Sequence, residues 1–309
     1  MITIHKNNET GLSQIFNPTS GSWINVIDPT TEEITSIQAL GVPRDYITYP
    51  LDLDERARTE RENGEILIVL RIPFYQGKDA DIPYTTIPLG IILTENHIIT
   101  ICHNENEIMQ AFTDGRVKNL STVKQQRFVL RILLATATKY LNYLREINKM
   151  VEILEDQLQQ STRNKELLEL LKYQKSLTYF TTALKSNELM IERLQRTKLF
   201  HQFPDDEDLL EDVFTENQQA IEMTSITINI LSGMMDAFAS IISNNLNSVM
   251  KFLASITIVL SLPTIVTGFY GMNVAVPFGR LPYAFGLAFG FALFISILVG
   301  FIFWRRDWF

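Results

Sequence analysis

Two long stretches of this chain, residues 252–279 and 281–304, contain no Asp, Glu, Lys or Arg. Nothing else in the sequence limits the fold as severely. Residues 252–270 (FLASITIVLSLPTIVTGFY) give 19 uncharged residues, which a helix would extend over roughly 28 Å, close to the hydrocarbon thickness of a bilayer. Residues 281–304 (LPYAFGLAFGFALFISILVGFIFW) give 24, enough to span with some tilt. Buried helices of a soluble core rarely run so long without a charge, and the aromatic and basic flanks suit membrane interfaces. Both segments therefore read as transmembrane helices. Lys251 precedes the first, and Arg305 and Arg306 follow the second, while the connection carries Arg280 alone. Three basic residues against one put both ends of the hairpin in the cytoplasm and the connection, residues 271–280, outside.

The charge of the rest is of the opposite sign. Residues 1–250 hold 23 of the 27 basic and 34 of the 35 acidic residues, a net of −11, and residues 251–309 carry a net of +3. An acidic body is joined to a cationic anchor, and 309 residues leave room for two or three structural units. The single cysteine, Cys102, excludes an internal disulfide and suits a reducing compartment. The opening MITIHKNNET lacks a basic region followed by an apolar run, so no signal peptide is expected. Both termini are then cytoplasmic, and the protein is a multi-pass protein of the cell (inner) membrane.

Residues 1–120 alternate short apolar runs with turn signals. SWINVIDP, GEILIVLRIPF and LGIILTENHIITICH read as strands, and residues 31–39 have the cap and acidic first turn of a helix. The expected fold is an α+β cytosolic domain, a mixed sheet with helices. From residue 121 the pattern becomes long, charged and heptad-like. Helices over about 122–160 and 165–199, with a turn at STRN (161–164), make an antiparallel pair over 121–203. A stalk helix over 204–251 leads into the first membrane helix, and residues 305–309 form a basic tail. No Gly-rich phosphate loop, G-x-S-x-G, H-E-x-x-H or paired C-x-x-C occurs, so no enzyme is expected. The four histidines are scattered, and Cys102-His103 has no second pair at ligand spacing.

The stalk carries the sharpest pattern. Steps of three and four residues from Asp212 give Asp212, Thr215, Gln219, Glu222, Ile226, Asn229, Gly233, Asp236, Ser240, Ser243, Asn247, Met250, Ala254, Thr257, Ser261, Thr264 and Gly268. This is a repeat of 3.5 residues kept through eight heptads, and most members are polar or small. Heptad repeats mark seams along which helices meet, yet this one stays hydrophilic to membrane depth. Small and hydroxyl residues also serve dry helix packing in lipid, and an isolated surface helix shows one polar face. Neither accounts for a stripe running unbroken from cytoplasm into bilayer. A ring of parallel helices around a watery axis does, because polar groups at membrane depth are tolerated facing such a cavity. Two helices per chain cannot enclose a wide aqueous path, so a pore needs several copies.

The first span ends in Tyr270-Gly271-Met272-Asn273, followed by a short loop, a second span and a basic Trp-Arg-Arg-Asp-Trp tail. This arrangement resembles the signature of the CorA family of magnesium transporters. The resemblance implies a homopentamer in lipid that conducts divalent cations, Mg²⁺ first, with no nucleic-acid partner. Zinc, cobalt, nickel or manganese transport by the same fold is the alternative, and a membrane-anchored scaffold or sensor without transport is a second. It implies further that Gly271, Met272 and Asn273 form the outer mouth, that Asn247, Thr257, Ser261 and Thr264 line the pore, and that Met250 and Leu253 form its hydrophobic constriction. Asp236 matches an acidic residue at the inner pore, and Lys251, Arg305 and Arg306 match a basic collar. Asp212 matches a carboxylate of a regulatory metal site between subunits, whose partner acid comes from residues 51–55, Asp52 or Asp54, with Tyr49 as the other candidate for the matching place. Many relatives place Met-Pro-Glu-Leu after the signature, where this chain has Val274-Ala275-Val276-Pro277-Phe278-Gly279-Arg280-Leu281, with a proline but no acid.

Overall fold

A computed structural model describes residues 1–8, 11–62, 64–118, 120–160, 164–197, 204–273, 277, 279, 282–306 and 308. Two compact units divide the chain, Met1–Gly233 and Met234–Phe309.

The first unit holds a seven-stranded sheet of order β2-β1-β3-β7-β6-β5-β4. Its strands are β1 (Ile2–Asn8), β2 (Gly11–Ile15), β3 (Ser22–Ile27), β4 (Arg58–Glu62), β5 (Glu65–Tyr75), β6 (Tyr84–Leu93) and β7 (His97–Cys102). Among the described residues only β3 and β7 pair in parallel, and the other pairings are antiparallel. The expected mixed sheet is present. The run LGIILTENHIITICH divides into the end of β6 and β7 across a turn at Thr94–His97 closed by a 3.0 Å backbone hydrogen bond. The two strands at one edge and β4 at the other carry no apolar run, so periodicity did not announce them. The sequence of β4, RTERE, is a charged edge that resists pairing with another chain.

Both faces of the sheet are covered, which is why β6 is buried along almost its whole length. One face packs Ile24, Val26, Leu67, Val69, Ile99 and Ile101 against α1 (Thr31–Gln38) and α2 (Arg44–Thr48). At the start of α1, Thr30 Oγ1 accepts from the Glu33 amide while Glu33 Oε2 accepts from the Thr30 amide, a reciprocal capping box. The other face packs Trp23, Ile68, Leu70, Leu89 and Ile91 against α3 (Glu107–Thr113), α4 (Gln125–Gln160), α5 (Asn164–Arg196) and the start of α6 (Pro204–Tyr270). Tyr140 of α4 meets Phe180 of α5 edge-on at 5.0 Å. These two rings lie similarly far from the connection, as in an antiparallel pair. Thr122 precedes α4 rather than opening it: its hydroxyl is buried and accepts from the Asn7 amide at 3.2 Å. Most of the expected turn, residues 161–163, and the expected end of α5 beyond 197 lie outside the described residues.

In the second unit α6 continues to Tyr270, through Pro263, and α7 runs over Ala284–Arg305. Both are long and apolar enough to cross a membrane. On α7 the half-buried or buried positions include Ala284, Ala288, Ala292, Ser296 and Gly300, a small residue every fourth position. Val259 of α6 lies 4.0 Å from where a methyl group on Gly300 would sit. Ser255, fully buried, turns its hydroxyl back to the Lys251 carbonyl at 2.7 Å. Small residues let helix backbones approach in lipid, where no hydrophobic force drives them together.

Candidate functional site

Within the first unit, α6 has two faces with opposite fates. Asp206, Leu210, Val213, Asn217, Ala220, Thr224, Thr227 and Leu231 follow one another at steps of four and three residues, and all are buried. This second heptad seam fixes α6 to α4 and α5. Its polar members are satisfied locally. Asp206 accepts from Arg127 Nε at 2.6 Å, Asn217 donates to the Leu184 carbonyl at 3.4 Å, and Thr227 donates to Asn148 at 2.8 Å. Thr224 bonds back to the Ala220 carbonyl at 2.6 Å. Because half of these residues are polar, hydrophobic periodicity does not reveal the seam.

The seventeen positions from Asp212 to Gly268 are all exposed. The stripe is thus not the seam that holds α6 within the chain in either unit; that work falls to the buried heptad in the first and to the face carrying Ser255 and Val259 in the second. It stands open along the whole helix, including the segment apolar enough for a membrane. Asp236, Asn247, Met250, Leu253, Thr257, Ser261 and Thr264 all share this exposure, Met250 and Leu253 at 56% each. Thr257 donates its hydroxyl proton to the Leu253 carbonyl at 2.8 Å, and Ser261 to the Ile258 carbonyl at 2.9 Å. Their donors are satisfied by the helix itself, so what each hydroxyl turns outward is acceptor capacity. A row of acceptors is what a cation, or the water around it, requires.

At the end of α6 the Gly271 amide donates to the Thr267 carbonyl at 2.9 Å and the Met272 amide to the Phe269 carbonyl at 3.3 Å. A methyl group on Gly271 would come within 3.3 Å of the Thr267 oxygen, so glycine allows this tight exit. Tyr270 donates its hydroxyl to the Pro277 carbonyl at 3.2 Å and ties the loop to the helix end. Met272 and Asn273 are exposed just beyond a helix C-terminus, where the backbone dipole favours positive charge. The loop positions lacking an acid, 274–276, 278 and 280, lie outside the described residues. Lys251, Arg305 and Arg306 are all exposed on the second unit.

The acids assigned to metal sensing are not gathered in one chain. Among the described residues, no group of three or more His, Cys, Asp and Glu side chains stands together to hold a metal ion. Asp212 is exposed on α6, and Asp52 and Asp54 are exposed in the loop after the 3₁₀ turn Tyr49–Leu51. That loop is held firmly. Arg71 donates to the Leu53 carbonyl at 2.5 Å and the Glu55 carbonyl at 3.0 Å, and Asp52 accepts from the Asp54 amide at 3.0 Å. Arg58 lies over the Tyr49 ring at 4.5 Å and pairs with Glu55 at 3.0 Å. The turn itself is seated by Gly90 of β6, where any Cβ would overlap the Pro50 ring. Asp52 and Asp54 are thereby presented to solvent on a fixed scaffold, and among the described residues neither has an ion-pair partner.

Residues 19–306 match the family model described as "CorA-like Mg2+ transporter protein". The "Cobalt/magnesium transport protein CorA" of Methanocaldococcus jannaschii is 28% identical over 297 residues, which is 93% of this chain and 90% of that protein. The complete structure of the CorA magnesium transporter from the same organism superposes with a TM-score of 0.87 at 24% identity, covering 100% of this chain and 99% of the other. The full-length CmaX protein superposes with a TM-score of 0.74 at 16% identity, covering 100% and 97%.

Proposed function

The chain belongs to the CorA-like Mg²⁺ transporter family, and on that footing we propose that it carries Mg²⁺ across a cell membrane through a homopentameric pore lined by α6. The observation that carries the proposal is the complete exposure of the seventeen-position stripe. A continuous polar face that no part of its own chain covers, reaching membrane depth, is best explained by identical faces turned toward a shared aqueous axis. The tether reading asks for none of this.

Mg²⁺ sheds its waters reluctantly and prefers an octahedral shell. In the proposed pore, a ring of Asn273 carbonyl oxygens receives the hydrated ion by hydrogen bonding to its waters, a neutral mouth that costs little desolvation. Five helix C-termini add partial negative charge at the same level. Thr264, Ser261 and Thr257 then offer hydroxyl acceptors to a hydrated ion, and Met250 and Leu253 form an apolar collar that water can vacate to close the path. Asp236 attracts the ion on the cytoplasmic side, with Lys251, Arg305 and Arg306 forming a basic ring. Asp212 of one subunit and Asp52 and Asp54 of another would share a regulatory cation. Occupied, the site locks the subunits together; emptied, like charges repel and the helices move, so the internal cation limits its own entry. The ion is cargo and regulator, and no bond-making step is asked of any side chain. The relative in Methanocaldococcus jannaschii is named for cobalt as well as magnesium, so Co²⁺ is the second ion to examine.

The test is ion flux into proteoliposomes across a panel of divalent cations, alongside detergent-corrected mass. Mg²⁺ uptake by a species of five chains is expected. A monomer or dimer as the only species would end the pore model.

A further inference from the structure

The flank of α4 beside α3 is cationic on an otherwise acidic body. Arg131, Thr138 and Lys139 of α4 and Arg116, just after α3, line a groove of about 350 Å³ whose apolar wall includes Ile108 and Leu134. Arg116 and Lys139 already have anions, in Asp114 at 2.9 Å and in Glu107, which also accepts from Tyr143 at 2.9 Å. Arg131 does not. Its Nε is buried with no hydrogen-bond partner, and no ion pair includes it among the described residues. A buried guanidinium N–H without an acceptor is costly, since the desolvation of that donor is returned by nothing. Such a group is normally completed by an anion that matches its planar fork, a phosphate or a carboxylate.

From this groove we infer a binding site for a phosphate-bearing organic molecule, its phosphate on Arg131 between Arg116 and Lys139 and its apolar part against Ile108 and Leu134. Arg116, Arg131 and Lys139 against Asp114 and Glu107 leave an excess of one positive charge, and it falls on Arg131, the cation still without an anion, whose planar fork a phosphate matches. The volume falls in the range of small-molecule sites. Thr138, exposed on the same groove beside Lys139 and two turns from Arg131, supplies a further hydroxyl. A free nucleotide and a lipid headgroup share this chemistry, and the measurement separates them. The site is distinct from the α6 stripe and from Asp52, Asp54 and Asp212, so it does not depend on the transport reading.

The purified full-length protein in phosphatidylcholine nanodiscs, with EDTA present, is titrated calorimetrically with ATP and with inorganic phosphate. Saturable binding is expected, tighter for ATP because of the apolar wall. Arg131→Gln should weaken it by about tenfold or more, the loss of a charge-assisted bidentate contact, and Arg131→Lys should fall between. Basal Mg²⁺ flux should be unchanged in both. If phosphatidylglycerol added to the nanodiscs competes with ATP, the natural source of the phosphate is lipid; without competition it is a soluble molecule. Should Arg131→Gln fail to fold, Arg116→Gln on the exposed side of the groove is the deciding variant, with the same weakening expected. Absence of saturable binding to intact wild-type oligomer, or an affinity that ignores these substitutions, overturns the site. So does an oligomer that dissociates on Arg131→Gln without any anion binding in the wild type, which would give Arg131 to a neighbouring copy's carboxylate.

Discussion

Asn273 puts a strong acceptor without a charge at the exposed exit of α6. A carboxylate there would hold a divalent ion too tightly to release it, whereas an amide oxygen holds the ion's water. Asn273→Ala is therefore expected to abolish or greatly reduce flux in proteoliposomes while expression and assembled mass stay unchanged. Asn247→Ala, on the stripe just before the apolar span, should transport far better, because hydration there comes from bulk water. Normal transport by Asn273→Ala would favour a tether over a pore. The proposed mouth stands out in the sequence because its residues are contiguous, Tyr270 through Asn273, and carry their geometry locally. The loop bearing Asp52 and Asp54 was legible only as a group of acids. Its placement depends on Pro50 resting on Gly90 and on Arg71 gripping the carbonyls of Leu53 and Glu55, contacts between distant positions that no local pattern contains.

The long helix α6 shows why one of its two heptads could be read and the other could not. The exposed stripe stood out because polar residues recur inside an apolar span. The buried seam is half polar itself, with Asp206, Asn217, Thr224 and Thr227 acceptable in the interior only through Arg127, the Leu184 carbonyl, the Ala220 carbonyl and Asn148. The packing stripe of α7 was hidden for the opposite reason, since that helix is apolar all round and alanine does not stand out. The two faces of α6 should respond differently to truncation. Leu231→Ala, at a fully buried position, should cost about 2–5 kcal/mol. Asn229→Ala, on the open stripe, should stay within about 0.5 kcal/mol if that face meets water. Thermal unfolding of the full chain in detergent measures both, and a large loss at Asn229 would mean that the stripe is a dry seam. The same helix carries the proposed sensor. Millimolar Mg²⁺ should protect α6 of the wild type from limited proteolysis, and Asp212→Ala should lose much of that protection and conduct at higher internal Mg²⁺. Unaltered protection in the variant would move the sensor elsewhere.

For the whole molecule, the opposite charges of body and anchor make a claim about sidedness that the fold alone does not decide. An acidic body need not follow the basic residues, but Lys251, Arg305 and Arg306 against Arg280 predict that the body and both termini face the cytoplasm and that Tyr270–Asn273 faces out. The chain itself supplies the means to check this. Its one thiol, Cys102, is buried at the end of β7, and desolvation pushes its pKa up to about 11, so almost none is thiolate near neutral pH. Cys102 should therefore ignore a maleimide in folded protein, and the natural sequence serves as a silent background for single introduced cysteines. Phe16, 99% exposed after β2, reports the body; Met272, 53% exposed, reports the exit; Trp308 reports the tail. With a membrane-impermeant maleimide applied to intact cells, Met272→Cys should label at once. Phe16→Cys and Trp308→Cys should label only after the membrane is permeabilised. The reverse pattern would invert the transporter and, with it, the side on which Asp52, Asp54 and Asp212 could sense a cation. Labelling of Phe16→Cys and Met272→Cys from the same side would mean that residues 252–270 do not span, and the pore built on their exposed stripe would go with them.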